Sequence, residues 1–210
     1  MIRILVADDH PIIRKGIKQI LQDIPGITVE DEACDGYEAL EKIQKKDFEL
    51  VLLDISMPNL NGLDVLKQIK LIKPKLPVLI LSIYPEEQYA VRVLKAGASG
   101  YLRKESAPEE LINAIRKVNS GKKYISSSLA EILVSDLSSD SHTLPHETLS
   151  DREYQVLCMI ASGKTISEIA DELSLSVKTI STYRTRILEK MNMNNTAELI
   201  HYALKNNMLT

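Results

Sequence analysis

The sequence predicts an α/β domain, a doubly wound five-stranded parallel sheet, followed by an all-α domain of four helices. Two observations predict this order. From residue 2 to residue 119, short apolar segments alternate five times with amphipathic segments, which is typical of a parallel sheet with helices on both faces. From residue 149 onwards, the periodic segments have the spacing of amphipathic helices.

The predicted strands are short and almost continuously apolar, as strands are when helices cover both faces of a sheet. They cover residues 2–7, 27–34, 50–53, 77–81 and 100–102. Proline or glycine bounds most of the helices that follow these strands, and both residues are common helix boundaries. The helices cover residues 11–21, 37–45, 63–72, 86–96 and 108–119.

Three patterns in the second half mark helix starts, each a serine, threonine or asparagine followed three residues later by glutamate. They are Ser150 with Glu153, Thr165 with Glu168, and Asn195 with Glu198. We interpret these glutamates as helix caps rather than as catalytic acids. The helices that they help to place cover residues 151–161, 166–173, 177–191 and 196–206.

Residues 123–148 interrupt the periodic pattern. We predict that they link a first domain of residues 1–122 to a second domain of residues 149–210. Residues 129–137 could form one helix in this linker, and the serine-rich residues after them are expected to be a flexible tether.

Two histidines of the linker, His142 and His146, have the spacing of metal ligands on one helix. Pro145 lies between them and disfavours that helix. We therefore interpret both as solvated loop histidines.

Composition limits the classes of protein that remain. The net charge of −3 argues against indiscriminate nucleic-acid binding, although residues 177–191 hold four basic side chains and one acid. Cys34 and Cys158 lie far apart, so two reduced core thiols are expected. No segment approaches the roughly 18 apolar residues of a membrane span, and no signal peptide follows Met1. We expect a cytoplasmic protein without a membrane partner.

Five polar residues follow or end predicted strands: Asp8, Asp9, Asp54, Ser82 and Lys104. Because the carboxyl ends of parallel strands form one edge of the sheet, these side chains are expected to converge. Three carboxylates would repel one another without a cation, and Mg²⁺ prefers oxygen ligands. One carboxylate could then attack a phosphorus atom, while the lysine and serine stabilise the phosphoryl oxygens. The alternative is that all five are ordinary loop residues.

The first 120 residues resemble the receiver domain of response regulators, which has a flavodoxin-like fold. The similarity lies in Asp8-Asp9, Asp54-x-x-Met57-Pro58-x-x-x-Gly62, Ser82 and the segment from Lys95 to Lys104. This resemblance implies that Asp54 is the phosphate acceptor and that a sensor histidine kinase or a phosphotransfer protein is the donor. It implies Mg²⁺ as cofactor, with Asp8, Asp9, Asp54 and the Ser56 carbonyl as its site.

The same resemblance implies that Lys104 holds the phosphoryl group and that Ser82 and Tyr101 form a switch pair. The hydroxyl would turn towards the phosphate and the aromatic ring would move inwards behind it. Without the resemblance, Tyr101 is simply an amphipathic residue at an edge of the sheet. Ser56 and Tyr84 occupy positions that tune the lifetime of the phosphoryl group in such domains.

The segments 166–173 and 177–191, joined by a short turn, form a helix-turn-helix pattern. One face of the second helix is apolar and consists of Val177, Ile180, Ile187, Leu188 and Met191. The other face presents Lys178, Ser181, Thr182 and Thr185, which are residue types that contact base edges and phosphates in a major groove. The alternative is an ordinary amphipathic helix with a solvated face.

The second domain resembles the LuxR-type DNA-binding domain, and the whole chain resembles the NarL/FixJ class of bacterial response regulators. The similarity lies in Leu149-Ser-Asp-Arg-Glu153, Ile160-Ala161-x-Gly163, Glu168-Ile-Ala170-x-x-Leu173, Ser176-x-x-Thr179-Ile180 and Ile187-x-x-Lys190-Met191. It implies binding to double-stranded promoter DNA. The base-facing candidates are Ser181, Thr182 and Thr185, and the phosphate-contacting candidates are Lys178, Arg184 and Arg186.

In this class the last helix usually pairs two DNA-binding domains, so a homodimer is expected on phosphorylation. The apolar face of that helix would be Leu199, Tyr202 and Ala203. The alternative, equally open from the sequence, is that these residues pack inside their own domain.

Three functions remain possible. We predict a transcription regulator controlled by phosphorylation of Asp54, and not an enzyme. A second possibility is a DNA-binding protein controlled by a ligand or partner without phosphate. A third is a phosphatase or phosphotransferase, which the lack of a glycine-rich nucleotide loop and of a second acid–base carboxylate disfavours.

Overall fold

The computed structural model describes residues 1–138, 144–206 and 208, with side chains for all of these except 135–138. It divides into two compact units, Met1–Ile132 and Leu133–Thr210. The strands are β1 (Ile2–Ala7), β2 (Ile27–Ala33), β3 (Leu50–Asp54), β4 (Val78–Ser82) and β5 (Gly100–Arg103). The helices are α1 (Pro11–Gln22), α2 (Gly36–Lys45), α3 (Gly62–Ile72), α4 (Glu86–Lys95), α5 (Pro108–Asn119), α6 (Ser127–Ser138), α7 (Asp151–Ala161), α8 (Ile166–Glu172), α9 (Val177–Lys190) and α10 (Thr196–Lys205).

The first unit is a five-stranded parallel sheet with the strand order β2-β1-β3-β4-β5. The chain winds outwards from β1 to β2 and then returns past β1 to β3, so the order reverses between β1 and β3. In sheets of this kind ligands bind at the carboxyl ends of the strands beside that reversal. The predicted fold class, a doubly wound parallel sheet followed by helices, is confirmed.

Side chains of the central strands alternate between the two faces of the sheet, and both faces are covered. Ile4, Leu52 and Leu81 pack against Ile17 of α1 and Ile115 of α5. Their neighbours in sequence point to the opposite face and are buried as well: Leu5, Leu53 and Ile80 are among them. Burial on both faces is the reason that these strands are apolar at successive positions.

Within the second unit, a short 3₁₀ turn, Pro145–Thr148, precedes the helices α7 to α10. Two capping boxes form as predicted: Ser150 accepts from the Glu153 N–H, and Thr165 accepts from the Glu168 N–H. At the third predicted helix start, the Asn195 side chain accepts from the Glu198 N–H and caps α10. The Glu198 carboxylate accepts from the N–H of Asn194, the residue before Asn195, at 2.9 Å. These glutamates are therefore caps.

The linker differs in part from the expectation. Helix α6 begins two residues earlier than predicted, and Leu129 in its first turn is fully buried. His146 is not a solvated loop residue: its Nδ1 lies 2.8 Å from the Tyr202 hydroxyl, and its ring is 6.0 Å from that of Tyr154. His142 and the rest of the expected tether lie outside the described residues, and the boundaries at residues 122 and 149 stay predictions.

Three further expectations meet the structure with different outcomes. Both cysteines are free thiols, but only Cys158 is buried. Cys34 is exposed because β2 ends at Ala33 and the chain turns there towards α2.

Val177 was expected on the apolar face of α9 and is 51% exposed, because it is the first residue of the helix. Among the described residues, no helix has the length and apolar character that a membrane span requires.

Candidate functional site

The carboxyl ends of β1, β3 and β5 bring Asp8, Asp54 and Lys104 into contact. The Lys104 ammonium lies 2.7 Å from Asp8 Oδ2 and 2.8 Å from Asp54 Oδ2. The side chains are 6%, 2% and 1% exposed for Lys104, Asp8 and Asp54. The residues are far apart in sequence, and the parallel register of the strands places them together.

Burial raises the pKa of Asp54 to about 6, and the nearby Asp8 carboxylate adds to this while Lys104 opposes it. Burial would lower the pKa of Lys104, but Asp54 and Asp8 together raise it above its usual value. Lys104 is therefore a cation at neutral pH. It sits against two acids in a region where water screens charge weakly.

Four side chains at this edge could hold a metal ion: Asp8, Asp9, His10 and Asp54. Each offers one ligand atom, and these atoms lie within 4.8 Å of one another. Two of the buried oxygens, Asp8 Oδ2 and Asp54 Oδ2, lie against the Lys104 ammonium, and the buried Asp9 Oδ1 lies against His10 Nδ1. Because three carboxylates form a hard oxygen donor set, these residues fit a Mg²⁺ ion.

His10 belongs to this cluster, although the sequence analysis did not single it out. Its Nδ1 lies 2.7 Å from Asp9 Oδ1, and its main-chain N–H donates to Asp8 Oδ1 at 2.8 Å. The available signal was its position directly after two aspartates at a strand end and directly before Pro11, where α1 begins. Its N–H orients Asp8, which is a role that composition alone does not reveal.

The loop after β3 folds back tightly on Asp54. The Ser56 N–H donates to Asp54 Oδ1 at 3.2 Å, and the Gly62 N–H donates to the Ile55 carbonyl at 2.9 Å. A Cβ atom at Gly62 would lie 1.9 Å from the Asp54 carbonyl oxygen, so no other residue fits without moving the main chain. The assignment of the Ser56 carbonyl as a metal ligand stays a prediction.

Ser82 and Lys104 lie side by side, since the Lys104 N–H donates to the Ser82 carbonyl at 2.8 Å. The Ser82 hydroxyl accepts from the Tyr84 N–H at 3.1 Å. The Ser56 hydroxyl donates to the Tyr84 hydroxyl at 3.2 Å. The loop after β4 is thereby connected both to the end of its own strand and to the loop after β3.

Tyr101 is fully buried, which corrects the reading of its residue type alone as an amphipathic edge position. Although β5 is the edge strand, α4 packs against it, and the Tyr101 side chain is not accessible to solvent. The Tyr101 hydroxyl donates to the Tyr84 carbonyl at 2.8 Å. The ring therefore lies inside the domain, and its assignment to a switch pair with Ser82 stays a prediction.

On α9, five of the six predicted DNA-contacting residues are exposed: Lys178, Ser181, Thr182, Thr185 and Arg186. The hydroxyls of Ser181, Thr182 and Thr185 donate to main-chain carbonyls one turn earlier. Because the hydroxyl hydrogens are used inside the helix, all three side chains offer acceptor oxygens to a ligand, and the two threonines also offer methyl groups.

Arg184, the sixth predicted contact, differs from the other five. It is half-buried, and its Nε donates to the Thr196 hydroxyl at 2.8 Å. This bond joins α9 to the first residue of α10. At the far end of α9, Lys190 lies 2.6 Å from the buried Glu153 carboxylate, so its charge stabilises the domain rather than the basic surface.

The face of α10 that was expected to pair two domains is directed inwards. Leu199 and Ala203 are fully buried within the second unit, where α10 packs on α7. Tyr202 is half-buried and lies beside His146. These three residues therefore pack inside the domain and do not form a free pairing surface.

Comparison with known proteins identifies both units. Residues 4–116 match the family described as response regulator receiver domain. Residues 147–203 match the family described as bacterial regulatory proteins, luxR family. The first match covers more than half of the chain.

The chain is 37% identical over 209 residues to the response regulator UvrY of Escherichia coli K12, covering 99% of this chain and 96% of UvrY. Its fold resembles that of RcsB from Salmonella enterica serovar Typhimurium bound to a promoter in the presence of the phosphomimetic BeF3⁻. That likeness has a TM-score of 0.61 and 29% identity, and it covers 98% of each chain.

A structure of two RcsB dimers bound to two parallel DNAs is also similar, with a TM-score of 0.60, 28% identity, and coverage of 100% of this chain and 99% of that chain. The comparisons agree in both units and over nearly the whole length. The chain therefore belongs to the NarL/FixJ class of response regulators, the phosphorylation-dependent transcription regulators of two-component systems.

Proposed function

We propose that Asp54 is the phosphate acceptor and that its donor is the phosphohistidine of a sensor histidine kinase or a phosphotransfer protein. An Asp54 carboxylate oxygen attacks the phosphorus, a P–O bond forms, and the P–N bond to the donor histidine breaks. The observation that carries this assignment is the contact of the buried Asp54 carboxylate with Lys104 and its closeness to Asp8.

Asp8, Asp9 and Asp54 are the proposed Mg²⁺ site, completed by the Ser56 carbonyl. Bound there, Mg²⁺ offsets the charge of the acids and of the incoming phosphoryl group. Lys104 neutralises one phosphoryl oxygen, and the Ser82 hydroxyl donates to another. Acting as ligands and donors, these residues stabilise the negative charge that spreads over the phosphoryl oxygens during transfer.

Ser82 and Tyr101 are the proposed switch pair. When Ser82 turns to the phosphoryl group, its bond to the Tyr84 N–H changes, and Tyr84 also carries the Tyr101 hydrogen bond. Phosphorylation thereby shifts an equilibrium between receiver conformations. Since Tyr101 is already inward, the ring position is compatible with the switched state without a large rearrangement.

The proposed output is binding of a homodimer to double-stranded promoter DNA in the bacterial cytoplasm. Ser181, Thr182 and Thr185 would face bases, and Lys178 and Arg186 would contact phosphates. Arg184 can reach a phosphate only with the guanidinium nitrogens other than Nε. The similar structure of RcsB dimers bound to DNA supports both the proposed homodimer and double-stranded DNA as its ligand.

Incubation of the full-length protein with acetyl phosphate and Mg²⁺ tests the acceptor. We expect an intact mass gain of one phosphate, which Asp54→Asn abolishes and Asp23→Asn, an exposed acid outside the site, leaves unchanged. Asp9→Asn should require at least about tenfold more Mg²⁺ for half-maximal labelling. Full labelling of Asp54→Asn would refute the assignment.

A further inference from the structure

The first turn of α6 is attached to the first residue of α4 through one carboxylate. The hydroxyls of Ser126 and Ser128 both donate to Glu86 Oε2, at 2.6 and 2.7 Å. Ser126 also caps α6, because its Oγ accepts from the Leu129 N–H at 3.0 Å. Both ends of this contact lie in the first compact unit.

The chain just before these serines is held on the sheet. The Tyr124 N–H donates to the Ser99 carbonyl at 2.8 Å, and Tyr124 forms a parallel bridge with Gly100 of β5. The Tyr124 hydroxyl donates to Glu110 of α5 at 2.7 Å. Leu129 is fully buried as well, so the start of α6 has a defined position on the receiver unit.

Glu86 is also close to the switch. It follows Tyr84 by two residues, and Tyr84 carries the hydrogen bonds from Tyr101 and to Ser82. Burial raises the pKa of the Tyr101 phenol, and Glu86 contributes to that rise. Burial and Glu110 raise the pKa of Tyr124, again with a contribution from Glu86. The Glu86 carboxylate therefore lies within electrostatic reach of both the switch tyrosine and the segment that leads into α6.

We propose that Glu86 is a positioning residue that couples the phosphorylation switch to the linker helix. A change at Ser82 alters the segment Ile83–Pro85, displaces the first turn of α4, and thereby moves the acceptor to which Ser126 and Ser128 are bonded. The start of α6 then loosens in the phosphorylated state. The coupling rests on the proposed role of Asp54.

The physical basis is that one acceptor serves two donors. Hydrogen bonds to a charged group contribute more than neutral ones, and the hydroxyl of Ser126 is also the helix cap. Loss of the carboxylate therefore removes both serine contacts together. A conformational coupling that uses them should amount to at least about fivefold in affinity, the lower end of ordinary allosteric couplings.

The test compares Glu86→Ala, Glu86→Gln and Glu87→Ala in the full-length protein. Glutamine retains an oxygen that accepts from serine. Glu87 is an exposed acid in the same first turn of α4, so its removal controls for the helix dipole. Amide exchange at Leu129 and Ala130 is measured by NMR with and without beryllofluoride, and DNA affinity is measured for the same samples on duplexes selected from a random pool.

Without beryllofluoride, Glu86→Ala should speed exchange at Leu129 at least about fivefold, whereas Glu86→Gln and Glu87→Ala should stay close to wild type. In the wild type, beryllofluoride should speed the same exchange. Glu86→Ala should also lose at least about fivefold of the beryllofluoride-dependent gain in DNA affinity.

Two results would overturn the coupling. One is unchanged Leu129 exchange in Glu86→Ala, which shows that the contact does not hold the helix. The other is an unchanged gain in DNA affinity in that variant while acetyl phosphate still labels Asp54. If acetyl phosphate labels another residue, the acceptor assignment fails instead, and the exchange without beryllofluoride still decides whether Glu86 holds α6.

Discussion

Lys104 Nζ lies 2.8 Å from Asp54 Oδ2, and both side chains are almost completely buried. Lys104 faces a second acid as well, because Asp8 Oδ2 lies 2.7 Å from the same ammonium. Burial is the largest influence on Asp54 and outweighs the attraction of Lys104, so its pKa rises to about 6. The acceptor is therefore held in a state that costs folding free energy at neutral pH.

The first prediction concerns that cost. The pKa of the Asp54 carboxyl group is about 4 in the unfolded chain and about 6 in the folded protein. The folded protein therefore loses stability as the pH rises through this range. Asp54→Asn should therefore increase the free energy of unfolding of the receiver unit by about 3 kcal/mol at pH 7. At pH 4 the gain should nearly vanish, because the acid is then protonated in the folded state.

Urea denaturation at the two pH values measures this difference. Asp23→Asn, which removes an exposed acid, is the control and should change stability by less than about 0.5 kcal/mol. A loss of stability in Asp54→Asn at pH 7 would show that attraction to Lys104 outweighs burial.

The second prediction concerns Lys104. Lys104→Met leaves Asp8 and Asp54 buried without their cation, and breaking a buried ion pair from one side costs about 3–5 kcal/mol. We expect a loss near the lower limit at pH 7, because Asp54 can take up a proton. Combining it with Asp54→Asn should recover at least about 1 kcal/mol more than Asp54→Asn gains in the wild type, because without Lys104 the Asp54 charge is less well compensated.

A denaturation cycle of wild type, the two single variants and the double variant measures this coupling. Simple addition of the two single effects would contradict it. Labelling by acetyl phosphate should fall at least about tenfold in Lys104→Met even where the protein is folded, because the phosphoryl oxygens lose their cation.

The third prediction concerns acid stability. Hydrogen bonds from Lys46 and Lys42 overcome the effect of burial and hold the pKa of Asp31 at about 2. Lys42 and the Cys34 N–H hold the pKa of Glu38 at about 2 as well. Both shifts are downward, so their contribution is present above the unfolded pKa values near 4 and is lost as pH falls towards 2.

Lys42→Met should lower stability by about 1 kcal/mol at pH 7, a value reduced for solvent screening because Glu38 is about one-third exposed. The deficit should shrink between pH 4 and pH 2. Lys45→Met, which disrupts an exposed pair with Glu41, is the matched control and should have little effect. A deficit that stays constant down to pH 2 would indicate lost packing of the lysine stem rather than lost charge.

The fourth prediction separates Arg184 from Arg186. Arg186 is exposed, so Arg186→Ala should leave stability within about 0.5 kcal/mol while reducing the salt slope of DNA binding by about 1. Arg184→Ala should cost about 1 kcal/mol of stability, because its bond to Thr196 and the packing of its stem are lost.

Thr196→Val removes the acceptor and retains Arg184. It should reproduce most of the stability loss without changing the salt slope. Thermal unfolding and binding to a selected duplex across a salt series provide both numbers. An equal salt-slope change for both arginine variants would show that Arg184 contacts phosphate as fully as Arg186.

Local patterns predicted much of this molecule. The alternation of strands and helices, the two capping boxes and the convergence of strand ends all depend on residues near one another in sequence or on a general rule of parallel sheets. The expectations that proved wrong concern burial. Tyr101 is buried although β5 is an edge strand, Cys34 is exposed at a strand end, and Val177 is exposed at the start of α9.

The sequence by itself determined the order of elements, the two kinds of domain and the identity of the residues at the strand ends, because periodicity and helix caps are properties of short segments. Only the tertiary structure decided that Lys104 bridges Asp8 and Asp54, that Arg184 is bonded to Thr196, and that Glu86 accepts from two serines at the start of α6. Each of these contacts joins distant segments, and their geometry depends on how helices pack over the sheet and over one another, which no local pattern encodes.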